Sequence, residues 1–170
     1  MTADARPLSR RIQARVFRVI NVAMRVVLGL PFATPLGSRL MLISYKGRKT
    51  GRVYRQPVSF VRDTDVLLTP GGGKWKLNLA NGEPIKIRLN GRDFTARPEL
   101  VRDPNEVERL LALMAAKNPS VRRFVAIPSD SEGHLDRTCL NAALEHGFCI
   151  VRWHVTDNHR RNASEKQTPR

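Results

Sequence analysis

The middle of the chain is written in short apolar runs separated by turn residues. Leu40 to Tyr45, LMLISY, has the length and composition of a β-strand. A second strand is predicted over Val53 to Val61, a turn at Asp63-Thr64-Asp65, and a third apolar run from Val66 to Thr69. Asn81-Gly82 is a turn signal, and Pro84 to Leu89 then alternates with period two. Asn90-Gly91 predicts a hairpin turn that returns the chain as a strand from Asp93 to Leu100. Phe148 to Val155 reads as a final strand. The first five strands follow one another in meander order with no crossover helix among them, which predicts an antiparallel sheet or barrel and excludes a doubly wound sheet.

Helical periodicity appears on both sides of this block. Ile12, Val16, Val19, Ile20, Ala23, Val26, Val27 and Leu30 share one face of a helix predicted over Leu8 to Leu30, with Arg11, Arg15, Arg18 and Arg25 in a stripe beside it. Two readings fit that helix: its apolar face packs on the barrel, or it lies on an anionic membrane surface. Asp103-Pro104-Asn105-Glu106 is a helix start, with Asp103 as N-cap, Pro104 in the first position and Glu106 closing a capping box. Val107, Leu110, Leu111 and Met114 give the helix an apolar face, and Asn118-Pro119 stops it. Val121 to Ile127 is ambiguous, Ser129 to Gly133 reads as a loop, and Asp136 to Glu145 reads as a further helix ended by His146-Gly147. The organisation expected is a basic helix over 1–30, a barrel domain over 31–156 and a polar, disordered tail over 157–170.

Charge changes the picture. The 170 residues carry a formal net charge of +15, a field that attracts acidic ligands, anionic lipid or nucleic acid. Nucleic acid is set aside because only ten residues are aromatic and no RNA-recognition stacking motif occurs. Cys139 and Cys149 are too few and too far apart for a disulfide framework, so a reducing, cytoplasmic location is expected. With the membrane reading of the first helix, that becomes the inner face of the membrane. His146 and Cys149 are the only closely spaced metal-ligand pair, and ordinary core cysteines and surface histidines account for them better than a metal.

The candidate chemistry lies in two glycine-containing loops. Lys46-Gly47-Arg48-Lys49-Thr50-Gly51-Arg52 follows the first strand, and Pro70-Gly71-Gly72-Gly73-Lys74-Trp75-Lys76 follows the third. Glycine lets backbone N–H groups approach an anion. Lysine and arginine add countercharge, and arginine can grip a phosphate with two parallel bonds. Trp75 offers a flat face for a ring system, or else anchors the barrel core. Read alone, the first loop is equally well a solvated hairpin turn.

Gly47-Arg48-Lys49-Thr50-Gly51, then Pro57, then Gly71-Gly72, then Trp75-Lys76-Leu77-Asn78-Leu79-Ala80-Asn81 resembles the deazaflavin-dependent nitroreductase family over about residues 35 to 97. The resemblance implies a mostly-β, α+β split β-barrel with flanking helices, like that of the flavin-binding pyridoxamine-phosphate oxidases. It implies an oxidoreductase that transfers a hydride from reduced coenzyme F-420, an 8-hydroxy-5-deazaflavin, to an apolar acceptor such as a quinone or a nitro compound. Flavin mononucleotide is the alternative cofactor, and the alternative function is non-catalytic binding of a deazaflavin, a haem-like ligand or an anionic lipid. On this resemblance Arg48, Lys49, Thr50 and Gly51 hold the acidic tail, Thr69, Pro70, Gly71 and Gly72 lie along the ring, and Trp75 and Asn78 close the site. A homodimer is implied as well. The sequence departs from the family at Ser59, in having no tyrosine after Tyr54, and in a short span between the glycine pair and Trp75.

Overall fold

The structure, a computed structural model, describes residues 38–121, 125, 127–128, 130 and 134–156. The helix expected over Leu8 to Leu30, the tail over 157–170 and most of the stretch between Val121 and Gly133 lie outside these residues.

Seven strands form one antiparallel sheet: β1 (Leu40–Lys46), β2 (Val53–Ser59), β3 (Val61–Asp63), β4 (Val66–Pro70), β5 (Ile85–Leu89), β6 (Arg92–Val101) and β7 (Ile150–Thr156). A 3-10 turn, Lys74–Asn78, follows β4. Two helices, α1 (Pro104–Lys117) and α2 (Arg137–Glu145), lie between β6 and β7. The strands and both helices fall close to where the pattern predicted them. At the β5–β6 turn, Asn90 and Gly91 take φ of 47° and 76°, as the two central residues of a primed hairpin turn require.

Two expectations fail. The single strand expected over Val53 to Val61 is broken at Phe60, and the lateral order is β2-β1-β5-β6-β7-β4-β3, not a meander. The two failures share a cause. β2 and β3 lie at opposite edges of the sheet, yet only Phe60 separates them in the chain. A flat seven-stranded sheet would hold its edges roughly 29 Å apart, whereas two peptide units span at most about 7 Å. The sheet must therefore curl until its edges meet at Phe60, which is buried and whose N–H donates to the Arg39 carbonyl at 3.0 Å. This is a split β-barrel. Pro57, which can donate no ladder bond, sits on edge strand β2, where that costs least.

The period-two pattern divides the core in two. Met41, Ile43, Leu67, Ile87, Val151 and Trp153 point into the barrel with Trp75 and Leu79. Leu68 and Ile150, each next in the chain to one of these, point outward under α1 and α2 and meet Val107, Leu110, Leu111, Met114 and Leu140. These four α1 residues are those the helical periodicity picked out.

Asp103 caps α1 as expected, its carboxylate accepting from the Glu106 N–H at 2.9 Å. The capping box is only half built, because the Glu106 carboxylate is taken elsewhere. It accepts from Arg109 at 2.8 Å and from Arg152 on β7 at 2.6 Å, and Arg152 also meets Glu99 on β6. Hydrogen bonds and charge, first from Arg109 and then from Arg152, pull the Glu106 pKa from 4.5 down to about 2 against the opposing effect of burial. A depressed carboxylate contributes stability above its unfolded pKa and loses it as pH falls through the folded one. Glu106→Gln should therefore cost about 1–2 kcal/mol at pH 7, allowing for solvent screening of a partly exposed pair. The difference from wild type should vanish near pH 2. Urea unfolding at the two pH values checks this, and an equal difference at both would contradict it.

Candidate functional site

The β1–β2 hairpin builds the site by its register. Lys46 pairs with Val53 and Tyr45 with Tyr54, so the loop Gly47–Arg52 projects from one end of the barrel. The loop closes on itself: Gly47 N–H donates to the Arg52 carbonyl at 2.7 Å, and Gly51 N–H to the Gly47 carbonyl at 2.8 Å. Gly51 takes φ of 66°, where a side chain would be strained. A Cβ on Gly47 would come within 2.6 Å of the Tyr54 ring and 2.7 Å of Thr50 Oγ1.

Asn78 joins the two loops. Its Oδ1 accepts from the Arg48 N–H at 2.9 Å, and its Nδ2 donates to the Trp75 carbonyl at 3.1 Å. The 3-10 turn is thereby tied to the tip of the hairpin, thirty residues earlier in the chain. Clefts open on both sides of this tie. One, of about 500 Å³, is lined by Tyr45, Arg48, Lys49, Thr50, Tyr54, Lys74, Trp75, Leu77 and Asn78. The other, of about 690 Å³, shares Tyr45, Arg48, Leu77 and Asn78 and extends over Ser44, Lys46, Gly51, Glu83 and Lys86.

Backbone donors in the loop can be accounted for one by one. Gly47, Arg48 and Gly51 donate as described, and the Arg52 N–H reaches Thr50 Oγ1 at 3.3 Å. Among the described residues, nothing accepts from the N–H of Lys49 or of Thr50. Two successive free N–H groups at a loop tip are donors that an anion can take up. The charge around them is also uncommitted: Arg48, Lys49, Arg52 and Lys74 are exposed, and none makes an ion pair with a described acid. From Leu40 to Arg62 the chain holds no Asp or Glu.

The aromatic wall is double. Tyr45 and Tyr54 stack with centroids 5.8 Å apart and planes at 22°. Tyr45 Oη donates to Gln56 Oε1 at 3.3 Å, and Tyr54 Oη lies 3.2 Å from Thr50 Oγ1. Trp75 is buried and stacks on Trp153 at 6.3 Å and 10°, and the residue also lines the 500 Å³ cleft. It therefore serves the core and the cleft at once.

The structure thus brings Arg48, Lys49, Thr50, Trp75 and Asn78 onto one cleft and puts Gly51 on its neighbour. Thr69, Pro70, Gly71 and Gly72 line neither. The Thr69 hydroxyl accepts from Trp153 Nε1 at 3.0 Å inside the core. Gly71 N–H donates to the Cys149 carbonyl at 2.7 Å, and the Gly71 carbonyl accepts from the buried Lys76 ammonium. A Cβ on Gly71 would lie 2.7 Å from Cys149 Sγ, so packing requires that glycine. Burial raises the Cys149 thiol pKa, with Lys76 and Arg102 opposing it by their charge. The sequence reading missed Tyr45, Tyr54 and Leu77 as cleft residues. Counting outward from the loop as a hairpin would have found the two tyrosines, because it makes them cross-strand partners.

No family model matches the chain, and no curated protein matches it by sequence. Among solved structures it is similar to an F-420-H2-dependent reductase, at 11% identity over 68% of this chain and 93% of that one, with a TM-score of 0.46. It is also similar to the haem storage protein of Vibrio cholerae, at 12% identity over 71% and 84%, TM-score 0.48. A FAD-binding protein of Mesorhizobium loti is similar at 12% identity over 70% and 82%, TM-score 0.48. At these identities the likeness is one of backbone path. Among the described residues, no group of His, Cys, Asp and Glu could hold a metal ion, and no helix is long and apolar enough to cross a membrane.

Proposed function

We propose that the chain is a deazaflavin-dependent oxidoreductase, with coenzyme F-420 held in the cleft between the Gly47–Arg52 loop and the 3-10 turn. The observation that carries this reading is the pair of unpartnered N–H groups on Lys49 and Thr50, set among uncommitted cations beside an aromatic wall. The residues fit the group. A phosphate with a carboxylate tail suits the loop N–H pair together with Arg48 and Lys49. A flat ring suits the aromatic surface offered by Tyr54, which lines the cleft with Trp75.

When bound in its reduced form, such a cofactor supplies a hydride from its ring. The chain's own residues do the rest. Arg48 and Lys49 bind through charge, with no proton to move. Asn78 fixes the loop against the 3-10 turn and so sets the distance between the tail site and the ring site. Leu77 and the two tyrosines give the cleft an apolar side on which a quinone or another conjugated acceptor can lie with water displaced. In the pocket the tyrosine side chains come from positions 45 and 54, so the absence of later tyrosines leaves an aromatic wall in place.

The competing reading is a binder without catalysis, and single-turnover kinetics separates the two. Mixing the protein, charged with reduced F-420, with a soluble quinone should oxidise the cofactor at least about tenfold faster than the same mixture without protein, a barrier reduction of roughly 1.4 kcal/mol or more. Tight binding with no acceleration would leave the chain a carrier.

A further inference from the structure

The end of the barrel that holds the cleft also exposes apolar side chains that a soluble surface does not need. Val53 is 70% exposed, Leu77 47% and Tyr54 40%; these are the exposed large hydrophobics among the described residues. All three are at the hairpin tip or on the 3-10 turn tied to it. Val53 opens β2 and pairs with Lys46, Tyr54 follows it, and Leu77 lines both clefts beside Gly47 and Arg48. Around them stand the exposed cations Lys46, Arg48, Lys49, Arg52, Arg55 and Lys74, none with an acidic partner among the described residues. Single cations such as Arg62, Arg92 and Arg97 stand elsewhere on the surface too, but only at this end do exposed cations surround exposed large hydrophobics among the described residues.

We infer that this barrel end is a docking surface for an anionic lipid bilayer, with Val53 and Leu77 entering the headgroup boundary and the surrounding cations meeting lipid phosphates. Charge complementarity selects a polyanion, and the apolar tips select among polyanions. Aliphatic side chains gain from contact with acyl chains and gain nothing from a phosphodiester backbone, where aromatic faces are what serve. The patch is made of described residues alone, and Lys46, Arg52 and Arg55 stay available to lipid when Arg48 and Lys49 hold a cofactor tail. If the cofactor reading holds, the docked orientation turns the cleft mouth toward the bilayer, so that an apolar acceptor enters from lipid.

The test uses the full chain without cofactor, so its outcome does not depend on the proposed chemistry. Wild type and the Val53→Ser/Leu77→Ser variant are mixed with phosphatidylglycerol–phosphatidylcholine vesicles, with vesicles of phosphatidylcholine alone, and with duplex DNA. We expect the charged vesicles to retain wild type, the neutral ones to leave it in solution, and the variant to lose about tenfold in partitioning, as removal of apolar area from the boundary requires. In a second variant, Val53→Trp, brominated phosphatidylglycerol should quench the new indole, since Trp75 and Trp153 are both buried. Vesicle binding unchanged by the double substitution, together with an unquenched Trp at position 53, overturns the inference. So does duplex DNA held more tightly than the charged vesicles, or a wild-type dimer that the double substitution splits, since either assigns the patch to another partner.

Discussion

Replacing Arg48 and Lys49 together with alanine is expected to weaken F-420 binding by about 10- to 100-fold. Each cation can make a charge-assisted bond worth about 1.5–3 kcal/mol when desolvated, and less on a wet loop. Both side chains are exposed, so the lower part of that range applies, at roughly 1.4 kcal/mol per tenfold. The loop itself should survive. Its closing bonds run from the Gly47 and Gly51 N–H groups to backbone carbonyls, and Asn78 takes the Arg48 backbone N–H, which alanine retains. Raising salt should weaken the wild type more than the variant, because exposed charges are screened. At saturating cofactor the single-turnover rate should change little, since the cations act on the tail and not on the ring. Unchanged affinity with a collapsed rate would show instead that these cations serve the chemistry.

Trp75→Ala should have the largest effect on stability. The ring is 8% exposed, stacks on Trp153 and fills the barrel end beneath the 3-10 turn. Removing a buried Trp leaves a cavity that its neighbours fill only in part, at a cost of about 3–5 kcal/mol. The Trp75 carbonyl that accepts from Asn78 remains in the variant, but the 3-10 turn that carries it and Asn78 loses its anchor in the core, so the hairpin tip should loosen and F-420 affinity fall as well. Urea denaturation read by circular dichroism measures the first effect and calorimetry the second. A cost below about 1 kcal/mol would mean that the ring is not the support the packing makes it.

Much of the fold is legible in the chain because strands and helices are local objects. The alternation at Leu67 and Leu68 and the α1 positions Val107, Leu110, Leu111 and Met114 are visible as periodicity, and the structure uses them as the periodicity implies. The lateral order was not legible. Nothing in the apolar pattern of Val53 to Val61 says that the strand breaks at Phe60 and sends its halves to opposite edges; that is set by barrel closure. The half-built capping box has that origin only in part: Glu106 is held by Arg109 three residues on and by Arg152 forty-six residues on.

For the site, the two loops were visible as glycine and charge, and the tie through Asn78 brings them together. The division of labour within them was hidden. The Thr69 hydroxyl also serves Trp153, and the Gly71 backbone serves Cys149 and Lys76, which the sequence does not announce. Tyr45 looks like an ordinary strand residue and lines the cleft.

The most direct test is a calorimetric titration of the full-length protein with coenzyme F-420 and, separately, with flavin mononucleotide, at low and at moderate salt. The longer acidic tail of F-420 reaches more of the uncommitted cations. It should bind about tenfold or more tightly than flavin mononucleotide at low salt, a difference of roughly 1.4 kcal/mol, and the gap should narrow as salt rises. Equal affinities, or a preference for flavin mononucleotide at every salt concentration, would contradict the assignment of the Gly47–Arg52 loop to a deazaflavin tail.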